Sequence, residues 1–115
     1  MSLSVSKARA KGTAAETAVV NYLKANGFPD ADRAPLRGVL DQGDVTGIRK
    51  VVIEIKNHKT YAIPAWLREL EVEATNADAD KAFLVVKPNG VGTTQVGNWW
   101  AILPLWRMAE LLRGK

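Results

Sequence analysis

Asp44, Glu54 and Lys56 are the side chains of this 115-residue chain whose types and spacing best suit chemistry. Glu54 and Lys56 are set into Val51-Val52-Ile53-Glu54-Ile55-Lys56, whose β-branched apolar residues are those of a strand covered on both faces. Side chains alternate along a strand, so residues two apart share a face and Glu54 and Lys56 point the same way. Gly47-Ile48-Arg49-Lys50 can reverse the chain, and a turn centred near Arg49 sets Asp44 opposite Glu54 on an antiparallel neighbour. Partners of that kind stand ~5 Å apart at Cβ. Two carboxylates and an ammonium then converge on one patch of an apolar sheet. Adjacent buried carboxylates repel unless a cation lies between them, and oxygen donors of this type suit Mg²⁺ or Mn²⁺. The competing reading is a structural Glu54–Lys56 pair on an exposed face, with Asp44 a turn residue.

Other elements must hold that patch in place. Thr13 to Asn26 reads as a helix, with Ala15, Val19, Tyr22 and Leu23 in one stripe and Gly27-Phe28-Pro29 as its stop. Thr13-Ala14-Ala15-Glu16 fits a capping box, so Glu16 is either a capping residue or a third acid aimed at the same site. Met1 to Lys11 carries Lys7, Arg9 and Lys11 and no acid. It reads as a flexible basic arm, either a solvated terminus or a phosphate-contacting one. Asp30 to Pro35 suggests a short edge strand. A glycine-flanked loop then carries Arg37 toward Asp44, and Arg33 and Arg37 are either solvated or phosphate contacts. Asp41 competes with Asp44 for the acidic role, but Asp44 abuts the strand while Asp41 sits back in the loop.

Downstream, Ile63-Pro64 opens a second helix to about Ala79, with Ile63, Trp66, Leu67, Leu70, Ala74 and Ala77 as its apolar stripe. Glu69, Glu71, Glu73, Asp78 and Asp80 read as its solvated outer surface. Lys81 to Lys87 is a second buried-type strand, followed by a flexible loop from Val91 to Asn98. Trp99 to Leu105 is then a last strand and Trp106 to Arg113 a closing helix. Trp99, Trp100 and Trp106 suit a core or a subunit contact, with base stacking by Trp99 or Trp100 as the alternative. His58 is left unassigned.

Composition narrows the classes. Sixteen Lys+Arg against twelve Asp+Glu give a net charge of +4, which favours a polyanionic partner. The absence of cysteine excludes disulfides, thiolate metal sites and cysteine nucleophiles, and a single histidine excludes a multi-histidine metal site. No apolar run approaches ~18 residues and no signal-peptide pattern opens the chain, so a cytoplasmic protein of one domain is expected.

The order of these features resembles the PD-(D/E)XK nuclease superfamily and, within it, the small Holliday-junction resolvases. The resemblance rests on Lys11-Gly12-Thr13-Ala14-Ala15-Glu16, Gly43-Asp44-Val45, Ile53-Glu54-Ile55-Lys56 and the strand from Lys81 to Lys87. It covers most of the chain to Lys87 and thins after Gly90, and Gly43 stands where the superfamily name has proline. It implies an α/β fold of restriction-endonuclease-like type, a mixed sheet flanked by helices in the order α-β-β-β-α-β-β-α. It implies metal ligation by Asp44, Glu54 and the Ile55 backbone carbonyl, with Mg²⁺ as cofactor and Mn²⁺ able to substitute. Lys56 would position or deprotonate the attacking water, and Glu16 would hold a water of the metal or a second ion. The activity implied is structure-selective DNA cleavage by a homodimer, with Lys7, Arg9, Lys11, Arg33 and Arg37 on the phosphates. The alternatives are a repair or restriction nuclease on the same scaffold, or a non-catalytic DNA-binding module.

Overall fold

Alanine, lysine and arginine, all strong helix formers, are frequent at the start of the chain, and they form one long helix. The computed structural model describes residues 3–35 and 41–114. Helix α1 runs Leu3–Ala25. Leu3 to Lys11 is therefore the first half of a helix and not a flexible arm. Thr13 lies in its interior, so the capping box expected at Thr13–Glu16 does not form. Gly12 offers no break, since its backbone is not left-handed and nothing lies within 4 Å of where a Cβ would stand. The helix stops as expected: Asn26 and Phe28 N–H groups return to the Leu23 carbonyl, with Gly27 at φ +104°.

Two short strands, β1 (Asp32–Arg33) and β2 (Val45–Thr46), pair antiparallel, Asp32 opposite Thr46 and Arg33 opposite Val45. Gly47 closes this ribbon at φ +87°, where a Cβ would overlap the Asp30 carbonyl. The next strand, β3 (Val51–Lys56), pairs parallel with β4 (Lys81–Val86), Val51 opposite Lys81 through Lys56 opposite Val86. Parallel neighbours need a crossover, and α2 (Ile63–Asn76) supplies it, with Pro64 in its first turn. A 3-10 helix (Thr93–Asn98) occupies the segment read as a flexible loop. Strand β5 (Trp100–Ile102) then pairs antiparallel with β4, and α3 (Leu105–Leu112) follows. The result is mixed α/β: a three-stranded mixed sheet, β3-β4-β5, and a separate two-stranded ribbon. Among the described residues no helix is long and apolar enough to cross a membrane.

Alternation along β3 sorts its side chains into two cores. Ile53 and Ile55 pack with Ala15, Val19 and Val20 of α1 and with Trp99, whose indole N–H donates to the Gly92 carbonyl at 3.2 Å. Val52 packs on the other face with Leu84 and Val86 of β4 and with Trp66, Leu70 and Ala74 of α2. By the same alternation Glu54 and Lys56 belong to the α2 face. Helix α3 is anchored by Arg107, which is buried and donates to both carboxylate oxygens of Glu71 at 2.8 Å. Of the three tryptophans near the C-terminus, Trp99 is core while Trp100 and Trp106 are exposed.

Leu70 is fully buried between α2 and the sheet, so Leu70→Ala leaves a cavity and is expected to cost about 3 kcal/mol. Arg107→Ala is expected to cost less, about 2 kcal/mol, because the freed Glu71 carboxylate can hydrate. Urea unfolding of the two variants measures both; a larger loss for Arg107→Ala would make the ion pair, not the α2 core, the principal anchor.

Candidate active site

Asp44 reaches β3 because the residue before it is glycine. Gly43 has φ +93°, and a Cβ there would come within 2.9 Å of Val52 Cγ1 and 3.0 Å of the Ile53 carbonyl oxygen. Proline, locked near φ −65°, fits this position no better than a bulky residue does. With the backbone pressed this close, Asp44 N–H donates to the Ile53 carbonyl at 2.8 Å, and the Asp44 carbonyl accepts from Ala34 N–H at 2.9 Å. The Asp44 carboxylate in turn accepts from Ile55 N–H at 2.7 Å, satisfying a donor on the edge of β3 that no strand covers. The expected closeness of Asp44 to Glu54 is thus present, but by a different route. Asp44 lies just outside β2, whose ladder partner is β1. The N–H and C=O of one strand residue point to the same side, so the Ile55 carbonyl also faces this edge.

Glu54 is 4% exposed, between Asp44 on one side and Glu73 of α2 on the other. Burial first, then the closeness of the Asp44 and Glu73 carboxyls, push its carboxyl up to about 12. Lys56 Nζ lies 3.2 Å from both oxygens of Glu69 and 5.9 Å from the centre of the Trp66 ring. Burial works against its charge, but Glu54, Glu69 and Asp44 outweigh that and raise its pKa, so it stays an ammonium. Glu16 projects from α1 and accepts from Arg33 at 3.1 and 3.2 Å. Burial and the nearby Asp44 raise its pKa, while Arg33 pulls it back.

These residues line one groove together with His58 and with Lys7 and Lys11, which join Glu16 on the same side of α1 at helical spacing. Arg9, two residues from Lys7, points away from the groove and is exposed. Arg33 is already committed to Glu16. Arg37 lies outside the described residues.

Sequence reasoning missed two acids. Glu73, read as solvated, is 1% exposed, and neither of its carboxylate oxygens has a hydrogen-bond partner among the described residues. Its signal was present in the sequence: it stands three residues after Leu70 and seven after Trp66, inside the apolar stripe. Asp41, set aside as a loop residue, adjoins Glu73 and helps raise its pKa. An all-carboxylate donor set with unsatisfied buried oxygens fits a hard divalent cation such as Mg²⁺ or Mn²⁺. Comparison with known protein families, with curated proteins and with solved structures finds no match to this chain.

Glu73 makes a pH dependence measurable. Burial, then Asp41 and Glu69, raise its carboxyl to about 7, with Glu54 opposing, against 4.5 in the unfolded chain. The native state therefore holds this proton more tightly. Its stabilising contribution is complete below pH 4.5 and lost as pH rises to about 7, about 3 kcal/mol in all. In chelator-treated protein, the melting temperature of wild type should fall over this window more steeply than that of Glu73→Gln. Parallel pH profiles for the two proteins would show that Glu73 ionises as freely as in water.

Proposed function

We propose that this chain is a divalent-cation-dependent DNA endonuclease of the PD-(D/E)XK, restriction-endonuclease-like class, acting on branched DNA as Holliday-junction resolvases do. The observation that carries this reading is the convergence of Asp44, Glu54 and Lys56 with Glu16, Lys7 and Lys11 in one groove, from three separate parts of the chain. Two acids beside an ammonium, bordered by lysines, suit a phosphodiester better than a neutral substrate.

Asp44, Glu54 and the Ile55 carbonyl are the groups that would hold Mg²⁺, or Mn²⁺ in its place. A bound cation of this kind offsets charge developing on the phosphate oxygens and acidifies the attacking water. The chain's own residues do the rest. Lys56, charged and held by Glu69, offers a proton donor to the water or the phosphate and positions it, a role its raised pKa favours over that of a base. Glu16, held by Arg33, offers an acceptor across the groove from Lys56. Lys7 and Lys11, both exposed on α1, contact phosphates. A homodimer with two equivalent sites suits the paired cuts that a four-way junction needs. The exposed apolar side chains of Trp100, Leu105, Trp106, Met108 and Leu112 favour such an assembly.

Incubation with four-way, linear duplex and single-stranded DNA, with and without Mg²⁺, tests the reading. Cleavage of the branched substrate only with Mg²⁺ is expected, and Asp44→Asn, Glu54→Gln and Lys56→Ala should each lower it at least ~100-fold while DNA is still bound. Binding without cleavage on any substrate would point to a non-catalytic DNA-binding module instead.

The groove also separates the basic residues of α1. Neutralising Lys7 and Lys11 together should flatten the log–log salt dependence of DNA affinity by roughly 1.8, at about 0.9 per phosphate contact. Arg9→Ala should leave that slope unchanged. Fluorescence anisotropy between 50 and 200 mM salt, the range over which such contacts weaken measurably, reads both.

A further inference from the structure

Behind Lys56, on the α2 side of β3, a second set of oxygens converges. One carboxylate oxygen from each of Asp41, Glu54, Glu69 and Glu73 lies within 4.8 Å of the other three. Carboxylates cluster on many protein surfaces, but Glu73 is not on the surface. It is 1% exposed, aimed into the cluster, and both its oxygens lack a partner among the described residues. Leaving a buried polar group unsatisfied is costly, and for a charged carboxylate more so. Either a cation or trapped protons must resolve that cost.

We propose that Asp41, Glu54, Glu69 and Glu73 form a binding site for a hard divalent cation that clamps α2 and the loop before Asp44 onto β3. The residues come from three elements: the loop before Asp44, β3, and two successive turns of α2. The loop is already held to α2, since Asn76 donates to the Asp41 carbonyl at 2.9 Å and Gln42 to the Asn76 carbonyl at 3.1 Å. Of the four carboxylates only Glu69 has a cationic partner among the described residues, Lys56 at 3.2 Å. Four carboxylates exceed the charge of one divalent ion, and Lys56 beside Glu69 supplies a further positive charge. Across a Ca²⁺ ion opposed oxygens stand up to about 5 Å apart, and across Mg²⁺ about 4.2 Å. A spread of 4.8 Å therefore takes Ca²⁺ nearly as it stands, whereas Mg²⁺ must draw the ligands inward. Glu54 is the one member shared with the Asp44 side, so the clamp sets the position of that side chain. The site stands on its own carboxylates and holds whether or not the chain cuts DNA.

The test uses the full chain, stripped with a chelator, titrated with Ca²⁺ by calorimetry and melted at pH 8 with and without the ion. Wild type is expected to bind Ca²⁺ and to melt about 10 °C higher when the free ion exceeds its dissociation constant 100-fold. Asp44→Asn leaves all four carboxylates in place and should keep both effects. Glu73→Gln and Glu69→Gln should each weaken binding at least about tenfold. Full-strength binding in these two variants, or its loss in Asp44→Asn alone, would locate the ion on the Asp44 side and overturn the proposal. So would a wild type that neither binds Ca²⁺ nor gains stability, because the carboxyls then share protons. If Glu73→Gln does not fold, Glu69→Gln decides alone, since Glu69 lies in no core.

Discussion

The burial of Glu54 between Asp44 and Glu73 is the constraint around which the other elements are arranged. Three carboxyls this close repel one another, and the burial of Glu54 and Glu73 limits the water that could relieve it. The chain meets this repulsion with local devices. The Ile55 N–H takes one oxygen of Asp44, and Lys56 takes Glu69. Burial raises the pKa of both Glu54 and Glu73, helped at Glu54 by Asp44 and Glu73 and at Glu73 by Asp41 and Glu69, so protons are held where charge is least tolerated. A strand of this composition would be more stable with an apolar residue at position 54.

Two cores follow from that placement. Ile53 and Ile55 must face α1 because Val52 and Glu54 face α2, and a one-residue slip of β3 would exchange the sets. The parallel ladder to β4 fixes the register, and the crossover through α2 brings Glu69 and Glu73 over the even-numbered side of β3. Helix α1 covers the other side and extends well past it, a length of roughly 35 Å at 1.5 Å per residue. Its exposed stretch from Lys7 to Lys11 leaves those two lysines beside Glu16 at the open edge of the sheet. Glu54 lies where the groove on the α1 side and the acidic cluster on the α2 side meet.

Position 43 illustrates how one backbone conformation governs a site. The left-handed φ of Gly43 lets the chain touch β3, and that contact delivers Asp44 to the Ile55 N–H. A residue with a Cβ would move Asp44 away from Glu54 and lose the pairing of two acids. Glycine here is a requirement of close approach, independent of any need for turn flexibility.

The element order and the pairing of Glu54 with Lys56 on one face were determined by the sequence itself, because strand alternation and helical periodicity are local rules. The stop at Gly27, the Pro64 start of α2 and the buried strand at Lys81 are legible for the same reason. What only the tertiary structure decided is which charges meet. Leu3 to Lys11 is helical although Gly12-Thr13 imitates a start signal, since the residues before it favour helix as strongly as those after. Glu71 and Glu69 stay at the surface but gain cationic partners, Arg107 and Lys56, that arrive from other elements. Arg33 turns inward to Glu16, and Glu73 becomes the most deeply buried acid of the described residues. A charge carries no local signature of its partner. Its state is fixed by what long-range packing brings within about 4 Å, and in this chain those neighbours lie 11 to 36 residues away.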